Sequence, residues 1–182
     1  AECLIPLIDK NEDQAIKTAT QIIDNFQTIY EQKWLDMMKS KLGLIGDNKD
    51  DLKLINSLLN WMEESKADYT NTFCYLMDMP IKDEIYKDKS FIEWVQAWNN
   101  RSNLNNSNKE NQFQLMKKVN PVIIPRNHKV EEALSNANKN NYETLYKLLS
   151  VIQNPYSPKF DILEFQSPAP ISKEKYQTFC GT

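Results

Sequence analysis

Apolar side chains recur every three or four residues over several stretches of this chain, which is the spacing of one face of an α-helix. The longest such stretch runs from about Asp13 to Leu42. Gly43 follows it as a left-handed stop, and Lys39 and Lys41 occupy the last turn, where cations complement the helix dipole. The same period predicts shorter helices over about 50–66, 68–77 and 127–138, and a further one after Asn140.

Two more helix starts are predicted from serine and glutamate placed three residues apart. Ser90 with Glu93 and Ser107 with Glu110 have the spacing of a capping box, in which each side chain bonds the other residue's backbone amide. The segment 120–125, NPVIIP, is bracketed by prolines, so an extended connection is expected there.

These elements predict an all-α fold, with one multi-helix domain over 1–155 and an irregular, proline-rich tail over 156–182. The asparagine-rich segment 98–108 is expected to be an exposed loop, with a subdomain boundary near 100–108. A chain of 182 residues with 41% hydrophobic content can bury a core without disulfides or metal. The four tryptophans fall on apolar helix faces and are expected in that core: Trp34, Trp61, Trp94 and Trp98.

The charge and cysteine content indicate where such a chain would work. A net charge of −3 offers no basic face for nucleic acid or an anionic membrane. No stretch is long and apolar enough for a membrane span, and the start lacks a secretory n-region. Three cysteines, an odd number spaced far apart, suit a reducing compartment, so the chain is expected to be cytoplasmic. Because it starts at Ala1, it is expected to be an excised piece of a longer protein.

No catalytic, cofactor or metal site is predicted in this chain. His128 is the only histidine and no cysteines have zinc spacing. Three glycines cannot build a phosphate-binding loop. Asp47, Asp50 and Asp51 lack calcium-loop spacing and are expected to be solvated helix caps. His128 has no adjacent carboxylate, so it is expected to cap or pack in the turn after Pro125.

One ordered set of motifs adds to this interpretation. In the segment 119–156 the chain contains Asn120-Pro121, Arg126-Asn127-His128, Glu132-Ala133, Leu148-Leu149 and Pro155-Tyr156. This order resembles the selenoprotein O / YdiU family. Other positions also resemble the family pattern and follow it in the same order, upstream of this segment and at the end of the chain: 41–44, 67–70, Phe73, Phe91, Trp94, Trp98, Arg101 and 179–182. Cys74 departs from the family pattern, which has a basic residue there, and the expected effect is on a local surface contact.

The resemblance implies a function that this chain would share only in part. Members of the family have a protein-kinase-like, pseudokinase fold and transfer AMP from ATP to protein Ser, Thr or Tyr hydroxyls, with Mg or Mn bound. Their catalytic residues would lie upstream of Ala1. The chain would be the end of the kinase-like C-lobe with extra helices, which buttress an N-terminal kinase-like half. Protein substrates, ATP and metal would belong to the full-length protein. The motif residues Asn120, Pro121, Arg126, Asn127 and His128 would be structural.

Cys180 is the one redox candidate. From spacing alone it could be an idle thiol, but it resembles the cysteine near the terminus of family members, which implies pairing with a cysteine beside the active site. Cys180 is therefore expected to be accessible in a mobile tail, and Cys3 and Cys74 to be buried and slow to react.

Two other interpretations stay open: a free-standing helical protein-interaction module, and an enzyme in its own right. A large exposed apolar patch would favour a detached part of a larger protein, whereas a closed, polar surface would favour the free-standing module. The enzyme would require a nucleophile, a base and an anion site that converge, and none is found in the sequence.

Overall fold

The computed structural model describes residues 2–104, 108–157 and 163–169. Within these ranges every regular element is helical, which confirms the all-α prediction. Two short 3-10 turns span Glu2–Leu4 and Glu84–Lys87. The α-helices are α1 (Ile5–Ile8), α2 (Glu12–Lys41), α3 (Asp51–Ser65), α4 (Tyr69–Leu76), α5 (Lys89–Asn103), α6 (Lys109–Val119), α7 (Asn127–Ala137), α8 (Glu143–Ile152) and α9 (Leu163–Gln166).

The long helix α2 has the ends that its sequence predicts. The Asn11 side chain accepts a hydrogen bond of 3.0 Å from the Gln14 amide and so caps the first turn. At the other end Gly43 adopts φ +64°, the left-handed conformation that favours glycine. A Cβ atom on Gly43 would lie only 2.4 Å from Cγ of Gln112. Glycine is therefore required there both by the backbone angle and by the close approach of α6.

The starts of α5 and α6 differ from the predicted capping boxes. Asp88, and not Ser90, caps α5, because its carboxylate accepts from the amides of Ser90 and Phe91. Asn108 caps α6 through the Glu110 amide at 3.0 Å, and Ser107 lies outside the described residues. In both cases another good N-cap residue lies within two residues of the predicted serine, and the helix begins there.

The predicted exposed loop over 98–108 is wrong for its first half. Helix α5 continues to Asn103, and Trp98, Arg101 and Ser102 are buried. The apolar face that starts at Phe91 extends through Trp98, so packing outweighs the turn preference of the asparagines. The subdomain boundary near 100–108 stays a prediction, although a 2.8 Å hydrogen bond joins Gln112 to Ser102.

The core lies between α3, α4, α5 and the C-terminal part of α2, and it extends to buried side chains of α6, the segment 120–125, α7, α8 and α9. Aromatic rings fill its centre, with Trp61 and Phe91 centroids 4.4 Å apart. The indole nitrogens of Trp94 and Trp98 each donate a 2.9 Å hydrogen bond to a backbone carbonyl. The core prediction is confirmed for these three tryptophans, whereas Trp34 is only half-buried because α2 leaves the core there.

Helices α7 and α8 form a hairpin that carries the beginning of the tail. Part of the region predicted to be irregular is the single turn α9, where Phe165 is buried. Glu164 of this turn accepts a 2.6 Å hydrogen bond from Lys147 of α8. The tail is thus docked on the helices at least as far as this turn. A search of the described helices for one long and apolar enough to cross a membrane finds none.

Candidate functional site

Asn120 and the extended segment after it link the end of α2 to the end of α8. The Asn120 side chain is fully buried, and its Nδ2 donates a 2.8 Å hydrogen bond to the Lys41 carbonyl. Two residues on, the Val122 amide donates a 2.8 Å hydrogen bond to the Pro155 carbonyl. Pro121 lies between them and has no amide proton to satisfy. The Asn-Pro motif thus fastens two helix ends that are distant in sequence.

Arg126 makes the strongest polar contact of this region. Its guanidinium donates two hydrogen bonds to the Asp68 carboxylate, at 2.7 and 3.0 Å, and a third of 3.3 Å to Oδ1 of Asn71. Asp68 also caps α4 through the Asn71 amide. Paired, charge-assisted bonds of this kind fix orientation as well as distance. Arg126 therefore holds the start of α7 against the start of α4.

The electrostatics of Asp68 follow from this pairing. Burial alone would raise the pKa of Asp68, but the hydrogen bonds from Arg126 and from the Asn71 amide outweigh it and lower the pKa. These contacts therefore favour the charged form of the Asp68 carboxylate. Nε of Arg126 and Oδ1 of Asn120 are buried side-chain atoms for which no hydrogen-bond partner is found.

Asn71 extends the contact to the tail. Its Nδ2 donates a 3.2 Å hydrogen bond to the backbone carbonyl of Gln166. The Gln166 side chain in turn donates a 3.0 Å hydrogen bond to the Val122 carbonyl. The turn α9 is therefore held by the same residues that fix the segment 119–126. We call Asp68, Asn71, Asn120, Arg126 and Gln166 the latch.

Asn127 and His128 follow Arg126 but take no part in the latch. Asn127 is the exposed first residue of α7, and His128 is half-buried in the same turn. Burial lowers the pKa of His128, and the positive charges of Lys129 and Arg126 lower it further. The helix start at Arg126 has no side-chain cap. Of the two predicted roles for His128, packing fits this position and capping does not.

Cys74 and Lys41 lie next to the latch, in the core. Cys74 is fully buried, with Sγ 4.0 Å from the Val122 carbonyl oxygen, and burial raises its pKa to about 11. The expected surface contact at this position is therefore wrong. Lys41 places Nζ 4.4 Å from the ring centre of Phe73, a cation–π contact, and burial lowers its pKa. Cys3, predicted to be buried, is instead exposed, because α1 covers little of the chain before it.

A buried ion pair between Asp51 and Arg101 is the main feature that the sequence interpretation missed. Nε of Arg101 lies 2.6 Å from Oδ1 of Asp51, and both side chains are less than one tenth exposed. Arg101 also donates a 3.2 Å hydrogen bond to the Gly46 carbonyl. Asp51 was expected to be a solvated cap, which is wrong. The pair ties the start of α3 to α5, and it could have been found only by extending α5 to Arg101.

Of the other two acidic residues in this loop, Asp47 is exposed and pairs with Lys39, whose hydrogen bond lowers the pKa of Asp47. Asp50 occupies the N-cap position of α3 without a side-chain capping bond. No group of three potential metal ligands occurs among the described residues. The latch and the Asp51–Arg101 pair each join separate parts of the fold.

The chain carries a large exposed apolar surface on α2. We call it the α2 stripe: Ile16, Ile22, Ile23, Phe26, Ile29, Tyr30 and Met37, all at least two fifths exposed. The rings of Phe26 and Tyr30 stack with centroids 6.2 Å apart. Leu4 and Leu7, before α2, are exposed as well. Single exposed apolar residues are normal on a monomer, whereas a row of them along one helix forms a contiguous apolar patch. Patches of this kind mark interaction surfaces.

Comparison with known proteins places this architecture in a family. The family model "Protein adenylyltransferase SelO" matches residues 1–153. Similar proteins described as "Protein nucleotidyltransferase YdiU" occur in Pelagibacter ubique (52% identical), Nitrosococcus oceani (43%) and Bacillus cereus (42%). The alignments cover all of this chain but 38%, 37% and 38% of those relatives. The chain thus spans about two fifths of the length of these relatives, and it belongs to the SelO family of protein adenylyltransferases.

Proposed function

We propose that this chain is the C-terminal, non-catalytic helical portion of a protein adenylyltransferase. The full-length protein would transfer AMP from ATP to Ser, Thr or Tyr hydroxyls of other proteins, and this portion would buttress its kinase-like lobe. The observation that carries the proposal is the latch. The Arg126 guanidinium is hydrogen-bonded to Asp68 and Asn71, and the Asn120 amide to the Lys41 carbonyl, so these two family motif residues hold parts of the fold together.

The chemistry of AMP transfer supports the assignment of catalysis to another part. Nucleotidyl and phosphoryl transfer need a lysine that grips phosphates and acidic or amide side chains that hold metal. The buried lysine Lys41 faces aromatic rings, and Asp51 and Asp68 are each paired with an arginine. ATP and Mg or Mn would therefore bind to the part of the polypeptide that this chain lacks.

The direct test is a titration of the chain with ATP and Mg. We expect no binding up to the millimolar range, because Lys41, Asp51 and Asp68 are engaged with other side chains. Calorimetry with the full-length polypeptide is the positive control. Micromolar affinity of the chain alone would overturn the proposal and favour an enzyme in its own right. The α2 stripe argues against the free-standing interaction module, whose surface would be closed and polar.

We further propose that Cys180, which lies outside the described residues, is a redox element of the full-length protein. Two thiols would give up two protons and two electrons to a disulfide oxidant such as oxidised glutathione, and a bond between Cys180 and a cysteine beside the active site would form. Cys74 is not its partner in this proposal, since Cys74 is buried and its pKa is about 11. A reducing, cytoplasmic location stays a prediction from the cysteine pattern.

A further inference from the structure

Helix α2 has two different apolar faces, and only one of them is covered. Near its C-terminal end Leu35, Met38 and Leu42 pack into the core. At about 100° per residue these three positions centre on one side of the helix, and the α2 stripe centres about 140° away from it. The stripe therefore cannot be an extension of the core-facing side. It is a second surface with its own direction.

The composition of this second face indicates a permanent contact. The stripe occupies an arc of about 140° and extends for about 30 Å along the helix, which is close to the diameter of a small domain. Between Ile16 and Met37 the only charged residue that falls within this arc is Lys33, whereas Asp24 and Glu31 fall on the other side. Interfaces that form permanently are apolar in this way, whereas transient ones are mixed with charge.

Exposure of the stripe is also costly for a helix in water. Phe26 is 65% exposed and Ile22 63%, and burial of side chains of this size away from water is favourable. The start of α2 packs against α1, and Ala15 there is fully buried. A surface helix normally turns its apolar stripe toward a core. In the described part of the chain no core faces this one.

We infer that the α2 stripe docks on the catalytic part of the same polypeptide, the part that this chain lacks. This inference rests on the proposed function. The length of the similar proteins indicates what covers the stripe, because about three fifths of each lies outside the aligned region. A segment of that size has a core of its own, against which a 30 Å apolar helix face can pack. The stacked rings of Phe26 and Tyr30 are the anchor, since aromatic side chains dominate the energy of such contacts.

The test compares amide hydrogen exchange in this chain and in the full-length polypeptide. We expect the amides of residues 22–30 to exchange at least tenfold more slowly in the full-length polypeptide, because docking suppresses local opening of the helix. Phe26→Asp should abolish this difference. Thr28→Asp is the matched control, because Thr28 is exposed on the same helix but lies outside the stripe, and it should leave the difference intact.

The outcomes separate this inference from the proposed function. Equal exchange in the two proteins would overturn the docking surface, and so would unchanged protection in the Phe26→Asp variant of the full-length polypeptide. In either case, AMP transfer by the full-length polypeptide would still support the proposed function. Protection without AMP transfer would leave docking standing and remove the function. If the chain alone forms a dimer that Phe26→Asp dissociates, and the full-length polypeptide gives no added protection, the stripe binds a second copy and the inference is wrong.

Discussion

At the scale of single residues, the tryptophans give the clearest stability prediction. Trp94 is 7% exposed and donates a hydrogen bond to the Leu54 carbonyl, so Trp94→Ala should lower the free energy of unfolding by about 3–5 kcal/mol. Trp34 is half-buried, and Trp34→Ala should cost only about 1–2 kcal/mol. Urea denaturation of both variants measures the two values. Equal losses of stability would contradict the difference in burial between Trp94 and Trp34.

The ion pair between Asp51 and Arg101 gives a second residue-scale prediction. Asp51→Ala would leave the buried Arg101 charge without its main partner, and removal of one member of a buried pair costs about 3–5 kcal/mol. Asp47→Ala is the control, since the Asp47 side chain is almost fully exposed. Urea denaturation should show a large loss for the first variant and a much smaller loss for the second. Similar values for both would show that the pair is solvated.

The residue scale also shows where sequence interpretation stops. The periodicity places Trp94 and Trp98 on one face and so predicts their burial correctly. It does not predict the partner of Asp51, because Arg101 is 50 residues away and only the packing of α3 on α5 brings them together. Burial of a charge depends on such a partner. Without it, the solvated cap was the reasonable expectation for Asp51.

At the scale of elements, helix bodies were predicted well and their ends less well. Gly43 and the prolines around the segment 120–125 are local signals, and the structure ends and interrupts its helices there. The continuation of α5 through the asparagines to Asn103 is not local, because it depends on tertiary packing of Trp98. Likewise the latch joins α4, α7 and α9, and no spacing in the sequence predicts that Arg126 contacts Asp68.

The latch makes an element-scale prediction about pH. The folded pKa of Asp68 lies below its unfolded value of about 3.9. The pair therefore stabilises the fold fully above that value, and the contribution is lost as the pH falls through the lower folded pKa. Arg126→Met removes the partner, so its free energy of unfolding should fall well below that of the wild type at pH 7. The gap should narrow below about pH 4, where Asp68 can take up a proton.

Urea denaturation of both proteins between pH 3 and pH 8 measures this gap. Lys129→Met is the control, because Lys129 is the neighbouring cation on α7 and its pairs with Glu132 and Glu164 involve carboxylates about half exposed. A gap for Arg126→Met that stays constant across the whole range would mean that Asp68 does not hold its charge through this contact. The latch would then be a packing feature only.

At the scale of the whole molecule, the described residues share one packed core, and α2 carries an apolar stripe that this core does not cover. The all-α prediction succeeds because the apolar period of three to four residues is a local signal of each helix. The α2 stripe follows from the same apolar period, but the sequence alone does not distinguish a helix face that packs on the core from one that packs on another part of the polypeptide. The structure shows that the α2 stripe is exposed, and the greater length of the relatives supports the docking that we propose.

The cysteines test the whole-molecule arrangement, since each reports on a different region. In a brief iodoacetamide pulse Cys74 should react slowest, because it is fully buried and its pKa is about 11, so little thiolate is present at neutral pH. Cys3 should react quickly, because it is exposed, and this reverses the expectation from sequence. Cys180 should also react quickly in this chain if the tail binds only to the catalytic part.

Mass-spectrometric mapping after pulses at pH 7 and pH 8.5 gives the three rates. The urea-unfolded chain is the control, in which all three thiols should be modified at similar rates. Rapid labelling of Cys74 in the folded chain would mean that the core around α4 opens readily. Protection of Cys180 would place the end of the tail against this domain and would contradict its proposed redox role.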